Sequence, residues 1–131
     1  MKLKEIIERI PVKSVTGSLD IEVDSLCLDS RKIEGAGLFF ALKGVAADGH
    51  QFIGKASENG AVAVIAEQPF SAITSATWIQ VEDSREAMGR ASANFYGNPS
   101  AEMPVVGITG TNGKTTTAFL VHYLMQCSLR R

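Results

Sequence analysis

The chain has 131 residues, 45% of them hydrophobic and 21% charged, with 13 Lys and Arg against 14 Asp and Glu. That length suits an ordinary domain with a core of its own, since domains of ~100–150 residues are the commonest and need no staples. The net charge of −1 gives no general attraction to nucleic acid or anionic membranes, and the two cysteines, Cys27 and Cys127, suit neither a disulfide framework nor a zinc site.

In chain order, Leu3, Ile6, Ile7 and Ile10 follow the helical i, i+3, i+4, i+7 spacing, and Pro11 stops that helix. Charge interleaves these apolar residues, so the start lacks the apolar core of a signal peptide. No apolar run nears the ~20 residues that span a bilayer. A collagen, a coiled coil, a membrane protein and a disordered tail are excluded, and a reducing, bacterial-type cytoplasm is the expected setting. Residues 21–28, with Ile21, Val23, Leu26 and Leu28, alternate with one slip and predict a strand. Asp29-Ser30-Arg31 is a polar break. Leu38-Phe39-Phe40-Ala41-Leu42 is a continuous apolar run, the mark of a strand buried on both faces.

Turn residues fill 43–49. His50 to Asn59 then predicts a helix with Phe52, Ile53 and Ala56 on its buried face and Gly60 as its stop. Residues 61–66 and 78–81 predict two more buried strands. Asp83 or Ser84 caps a helix to about Tyr96, with Glu86 placed to complete a capping box with Asp83. The order points to an α/β architecture, with helices packed on a mostly parallel sheet. Gly97 to Pro104, polar and holding two prolines, marks a boundary between a domain at 1–100 and a segment at 104–131.

Past that boundary lies the sharpest signal. Val105 to Thr109 predicts a buried strand running into Gly110-Thr111-Asn112-Gly113, then Lys114 and three threonines. A helix follows, with Ala118, Val121, Leu124 and Met125 on one face. Strand, glycine loop, Lys-Thr, helix is a phosphate-binding arrangement. Glycines let backbone N–H groups approach a polyphosphate, and the helix N-terminus adds about half a positive charge. Lys114 supplies a full charge, and Thr115 is placed to ligate Mg²⁺. The longer form G-x-x-x-x-G-K-[ST] would want glycine where Ile108 stands, so the motif is the shorter Gly110 to Thr116. Alone, its two glycines would read as an ordinary turn with an exposed lysine. The strand before and the threonines after make nucleotide binding the stronger reading.

Residues 107–117, Gly-Ile-Thr-Gly-Thr-Asn-Gly-Lys-Thr-Thr-Thr, resemble the ATP loop of the Mur ligases, cytoplasmic enzymes that build the peptide of the peptidoglycan precursor. Upstream, Leu28-Asp-Ser-Arg31, Leu38-Phe-Phe-Ala41, Gly44, Asp48-Gly-His50 and Gly60-Ala-Val-Ala63 resemble the N-terminal domain of that family's UDP-N-acetylmuramoyl-tripeptide synthetase branch. The branch that adds D-alanyl-D-alanine shares the Asp-Ser-Arg-like and Asp-Gly-His-like elements but usually carries another pair at Thr111-Asn112. The resemblance implies an N-terminal UDP-binding domain followed by the first strand, loop and helix of a truncated ATPase domain.

It further implies an ATP- and Mg²⁺-dependent ligase adding diaminopimelate or L-lysine to UDP-N-acetylmuramoyl-L-alanyl-D-glutamate through an acyl phosphate. Leu28, Ser30, Val45, Ala46 and Ala47 would hold the UDP portion. Gly110, Thr111, Asn112, Gly113, Lys114, Thr115 and Thr116 would hold ATP, with Thr115 on the metal. No catalytic residue, nucleic acid, membrane or obligate protein partner is implied. The 131 residues alone are expected to bind without turnover, and 104–131 to pack poorly. The competing readings are a stand-alone UDP-sugar or nucleotide-binding module and the sibling ligase that adds D-alanyl-D-alanine.

From the residues themselves Ser30 fits a diphosphate oxygen but fits an ordinary turn better. Asp29 fits a turn cap or a ligand contact, and Arg31 a phosphate or Asp29 itself. His50 is expected to cap or pack, His122 to be a half-exposed helical residue, and Trp78 to lie in the core.

Overall fold

The computed structural model describes residues 1–44, 47–71 and 74–129. They divide into two compact units, Met1–Pro99 and Ser100–Arg131. In the first, five strands form one sheet: β1 (Val12–Thr16), β2 (Ser25–Cys27), β3 (Gly37–Ala41), β4 (Ala61–Ala66) and β5 (Thr77–Val81). Their order across it is β1-β5-β4-β3-β2. The β2–β3, β3–β4 and β4–β5 pairs are parallel, and β1 runs antiparallel along β5. Helices cover both faces, the α/β layering that the element order predicts.

Alternation along the strands divides the core. Leu38, Phe40, Ala63, Ile65, Ile79 and Val81 face α1 (Leu3–Ile6) and α3 (Ser84–Phe95). Phe39, Ala41, Val64, Ala66 and Trp78 face α2 (Ile53–Glu58), meeting Ile53 and Ala56. Burial on both sides explains why β3 and β4 are continuous apolar runs. Gly37 pairs with Ala61 and Leu38 with Ala63, which leaves Val62 as an extra residue. That bulge shifts the alternation by one, so Ala61 shares a face with Val64.

Several expected boundaries move. The first helix ends at Ile6, and Ile7 and Ile10 pack from the turn that follows. There Arg9 takes a left-handed conformation (φ 62°), and α3 caps the freed carbonyls. Asn94 Nδ2 donates to the carbonyls of Ile6 and Glu8 at 2.9 Å each, and Arg90 Nη1 to that of Arg9 at 3.1 Å. Strand β1 was not anticipated. The strand expected over 21–28 shrinks to Ser25–Cys27, with Glu22 making only an isolated bridge to Lys2. The helix expected from His50 begins as a 3-10 turn, Gly49–Phe52, and becomes α-helical at Ile53.

Asp83 caps α3 by accepting from the amides of Arg85 and Glu86. The return half of the expected capping box is missing because Glu86 turns to Arg90, accepting at 2.7 and 3.0 Å. Trp78 is buried as expected. Its Nε1 donates to the Gln68 carbonyl at 3.1 Å, and Phe70 meets its ring edge-on at 5.9 Å.

The single turn α4 (Pro99–Glu102) lies inside the expected boundary, starting at the last residue of the first unit, and in the second unit α5 spans Lys114–Leu129. Residues 104–110 form no strand. Val105 and Val106 are 69% and 59% exposed, against the buried strand expected there. A strand needs a neighbour for its N–H and C=O groups, and no described residue pairs with this one. Around α5, Phe119, Leu120, Tyr123, Leu124 and Met125 are all exposed. Among the described residues no helix is long and apolar enough to cross a membrane.

Candidate functional site

The parallel strands deliver their C-terminal ends to one edge of the sheet, where open α/β sheets hold ligands. After β2 the chain turns through Leu28-Asp29-Ser30-Arg31. Asp29 Oδ1 accepts from the Arg31 amide at 3.0 Å and from its Nε at 2.9 Å, while Oδ2 accepts from Nη2 at 2.8 Å. The guanidinium holds the Asp29 carboxyl far below the usual carboxylate range, chiefly through those side-chain hydrogen bonds. Asp29 therefore caps the turn and pairs with Arg31.

Opposite this turn stands α2. Asn59, just past its end, donates from Nδ2 to the Ser30 carbonyl at 2.7 Å and ties the two elements together. Between them lies a cleft of about 580 Å³ lined by Leu28, Asp29, Ser30, Arg31, Phe52 and Lys55. Its volume is within the ~300–1,000 Å³ usual for small-molecule sites. Ser30 is only 5% exposed, and its hydroxyl hydrogen-bonds to no described residue. Leu28 and Phe52 are 56% and 42% exposed, an apolar pair open to solvent at the cleft.

Of the residues expected to hold UDP, Leu28 and Ser30 meet in this cleft. Ala47 is exposed, its carbonyl accepts from the Gly44 amide at 2.9 Å, and it is not among the lining residues. Val45 and Ala46 lie outside the described residues. Phe52 and Lys55 were missed. The first was expected on the buried face with Ile53, but the 3-10 turn rotates it outward. Their i, i+3 spacing, out of phase with Ile53 and Ala56, was the signal that could have found them.

The adjacent Asp48-Gly49-His50 is structural. Asp48 Oδ1 accepts from the His50 amide at 3.0 Å and meets its Nδ1 at 2.5 Å, while Nε2 accepts from the Glu67 amide at 3.3 Å. That last contact assigns the ring proton to Nδ1. Glu67 in turn accepts at Oε1 from the Ser84 amide at 3.1 Å and hydroxyl at 2.9 Å. The network fastens the ends of β3, β4 and β5 together and leaves His50 8% exposed, with both ring nitrogens engaged, packed as the sequence implies.

Gly49 is pressed against the backbone of Leu42. A Cβ there would lie 2.7 Å from both the nitrogen and the oxygen of that residue. Gly49→Ala is expected to cost about 1–3 kcal/mol, as overpacking against backbone does. Denaturant titration followed by Trp78 fluorescence checks it, and an unchanged midpoint would refute the packing described.

In the second unit, Gly110 (φ 148°) and Gly113 (φ 75°) carry the loop through backbone conformations open mainly to glycine. Lys114 begins α5 and folds back, its Nζ donating to the carbonyls of Gly110 at 2.5 Å and Thr111 at 3.5 Å. The Thr117 amide closes the first helical turn on the Gly113 carbonyl at 2.9 Å. Thr111, Asn112, Thr115 and Thr116 are exposed. The arrangement suits a polyphosphate: free amides at a helix start, an ammonium beside them, and glycines where side chains would obstruct. Thr115 presents its hydroxyl at the exposed start of α5. Among the described residues no group of three or more His, Cys, Asp or Glu side chains could hold a metal ion.

Residues 22–96 match the sequence profile described as Mur ligase family, catalytic domain, more than half of the chain. A Geobacter metallireducens protein named UDP-N-acetylmuramoyl-L-alanyl-D-glutamate–2,6-diaminopimelate ligase is 50% identical over 125 residues, 95% of this chain and 24% of that protein. The Bacteroides fragilis protein of the same name is 47% identical over 93% of this chain and 25% of its own length. The chain thus spans about a quarter of the length of the curated relatives it matches. Among solved structures, a MurF ligase from Thermotoga maritima in complex with ADP superposes with a TM-score of 0.58 at 38% identity, covering 71% of this chain and 21% of that one. The UDP-N-acetylmuramoylalanyl-D-glutamyl-2,6-diaminopimelate–D-alanyl-D-alanyl ligase from Acinetobacter baumannii gives 0.57 at 35% identity, covering 74% and 21%.

Proposed function

Because this chain belongs to the Mur ligase family, we propose that it is the substrate-gathering part of a ligase that extends UDP-N-acetylmuramoyl-L-alanyl-D-glutamate by one amino acid. Residues 1–100 act as the UDP-binding domain, and 104–131 as the start of an ATP-binding domain. Leu28 and Ser30 hold the UDP end in the cleft between the β2 turn and α2, and the family motif assigns Val45, Ala46 and Ala47 to the same UDP portion. Gly110 to Thr116 cradle the phosphates of ATP. The observation that carries the reading is the cleft itself: a serine only 5% exposed, whose hydroxyl bonds to no described residue, stands beside two exposed apolar side chains at the C-terminal edge of a parallel sheet. Diaminopimelate is favoured over L-lysine as the added residue by the names of the relatives at 43–51% identity.

In this chemistry ATP activates the terminal carboxylate of the dipeptide as an acyl phosphate, which the incoming amine attacks. Lys114 and the loop amides neutralise charge on the phosphates, and Thr115 gives an oxygen to Mg²⁺. The reaction belongs to the cytoplasm, where its nucleotide substrates reside.

Separate calorimetric titrations of the chain with UDP-N-acetylmuramoyl-L-alanyl-D-glutamate and with ATP plus Mg²⁺ test the proposal. Binding of both is expected, without phosphate release when they are combined with diaminopimelate. Binding of the UDP compound alone would favour a stand-alone UDP-sugar module instead. Binding of neither would overturn the assignment.

A further inference from the structure

We propose that Lys55 is the residue by which the cleft recognises a nucleoside diphosphate as an anion, distinguishing it from the neutral nucleoside. The inference rests on the UDP-binding reading and extends it to a residue outside the motifs that support it. Among the described residues two cations line the cleft, Arg31 and Lys55. Arg31 is committed: Nε and Nη2 both bond Asp29, so that pair brings no net charge. Lys55 forms no hydrogen bond or ion pair with any described residue.

Its placement is fixed. It stands one helical turn after Phe52 on the same side of α2, while Ile53 and Ala56 on the other side are 1% and 0% exposed and anchor the helix in the core. Asn59 then holds the end of that helix to the Ser30 carbonyl at 2.7 Å, and Lys55 and Ser30 line the same cleft. Leu28 and Phe52 give the apolar base a place to lie, and the ammonium and hydroxyl await the charged end. A net charge of −1 over the whole chain offers no diffuse attraction that could replace a local cation. A lysine on a helix suits this task because its mobile, point-like charge can follow a diphosphate without a fixed fork geometry.

The test uses the full chain and three proteins, wild type, Lys55→Met and Lys55→Arg, each titrated with UDP and with uridine at low and moderate salt. Lys55→Met keeps the length of the stem and removes the charge. It is expected to weaken UDP about tenfold, as loss of one charge-assisted contact does, while uridine changes by less than about twofold. Lys55→Arg is expected to restore most of the UDP affinity, and the wild-type preference for UDP to shrink as salt rises. Equal loss for uridine and UDP in Lys55→Met, or unchanged UDP binding, would overturn the role of Lys55 and leave the cleft assignment standing. Wild type that binds neither ligand would overturn both.

Discussion

Phe39→Ala is expected to remove about 3–5 kcal/mol of stability, the range for a buried phenylalanine cut to alanine. The ring is 1% exposed in β3, paired with β4 on one side and β2 on the other, and faces α2. Its surroundings make the upper part of that range the expectation. Ala41, Ala56, Ala61, Ala66 and Ala76 share its cluster, and alanines have no side chain to swing into a void. The strands around it are held by ladder hydrogen bonds, so the cavity would persist. A domain of this size has only about 5–15 kcal/mol in total, and each kcal/mol corresponds to roughly 4–8 °C in melting temperature. The variant should melt at least ~12 °C lower. Trp78, the single tryptophan, sits in the same cluster and reports the transition by fluorescence. Val15→Ala, on the exposed edge strand β1, serves as the comparison and should stay within about 0.5 kcal/mol. A Phe39→Ala loss below 1 kcal/mol would mean that the α2 face of the sheet is not packed as described.

The same contrast explains what the amino-acid order discloses. Residues 38–42 and 61–66 announce themselves because a strand buried on both faces has no room for polar side chains. Strand β1 has the opposite character. Lys13, Ser14, Val15 and Thr16 are all exposed, and the strand exists because β5 offers an antiparallel edge. Its cause is a partner some 65 residues away, which no local pattern carries. Val105 to Thr109 errs in the other direction: the apolar, β-branched run has strand propensity, but no neighbouring strand completes its hydrogen bonds among the described residues. Propensity is a request that a sheet must answer.

The site divides along similar lines. Leu28 and Ser30 came from a motif, and the cleft does bring them together. Phe52 and Lys55 came from nowhere in the motif reading, because their role depends on a 3-10 turn of four residues before α2. That turn sets which face of the helix points outward. Asp48 creates it by capping, and Gly49 permits it by lying flat on Leu42. The Asp-Gly-His element therefore acts on the cleft through backbone geometry, and none of its three residues is among those lining the cavity.

Lys114→Ala is expected to weaken ATP binding about ten- to hundredfold, since hydrogen bonds to charged groups contribute roughly 1.5–3 kcal/mol. The lysine works against a cost of its own making. Its ammonium lies on the Gly110 carbonyl at 2.5 Å and reaches toward that of Thr111 at 3.5 Å. A nucleotide must draw it away, so the gain on binding is the difference between two strong contacts. That difference favours phosphate because two formal charges of opposite sign meet where a neutral carbonyl stood before. Lys114→Ala also frees the Gly110 carbonyl, and a collapsed loop could mimic lost charge. Thr115→Val separates the two causes, because it leaves the ammonium and the glycines in place. It should lower affinity for ATP with Mg²⁺ while leaving ATP with EDTA nearly unchanged, whereas Lys114→Ala should weaken both. Trp78 fluorescence should show the same unfolding transition in wild type and both variants, since Lys114 bonds only within its own loop. If Lys114→Ala binds ATP within about twofold of wild type, under conditions where wild type binds measurably, the loop from Gly110 to Thr116 is a turn between a segment and a helix and not a phosphate cradle.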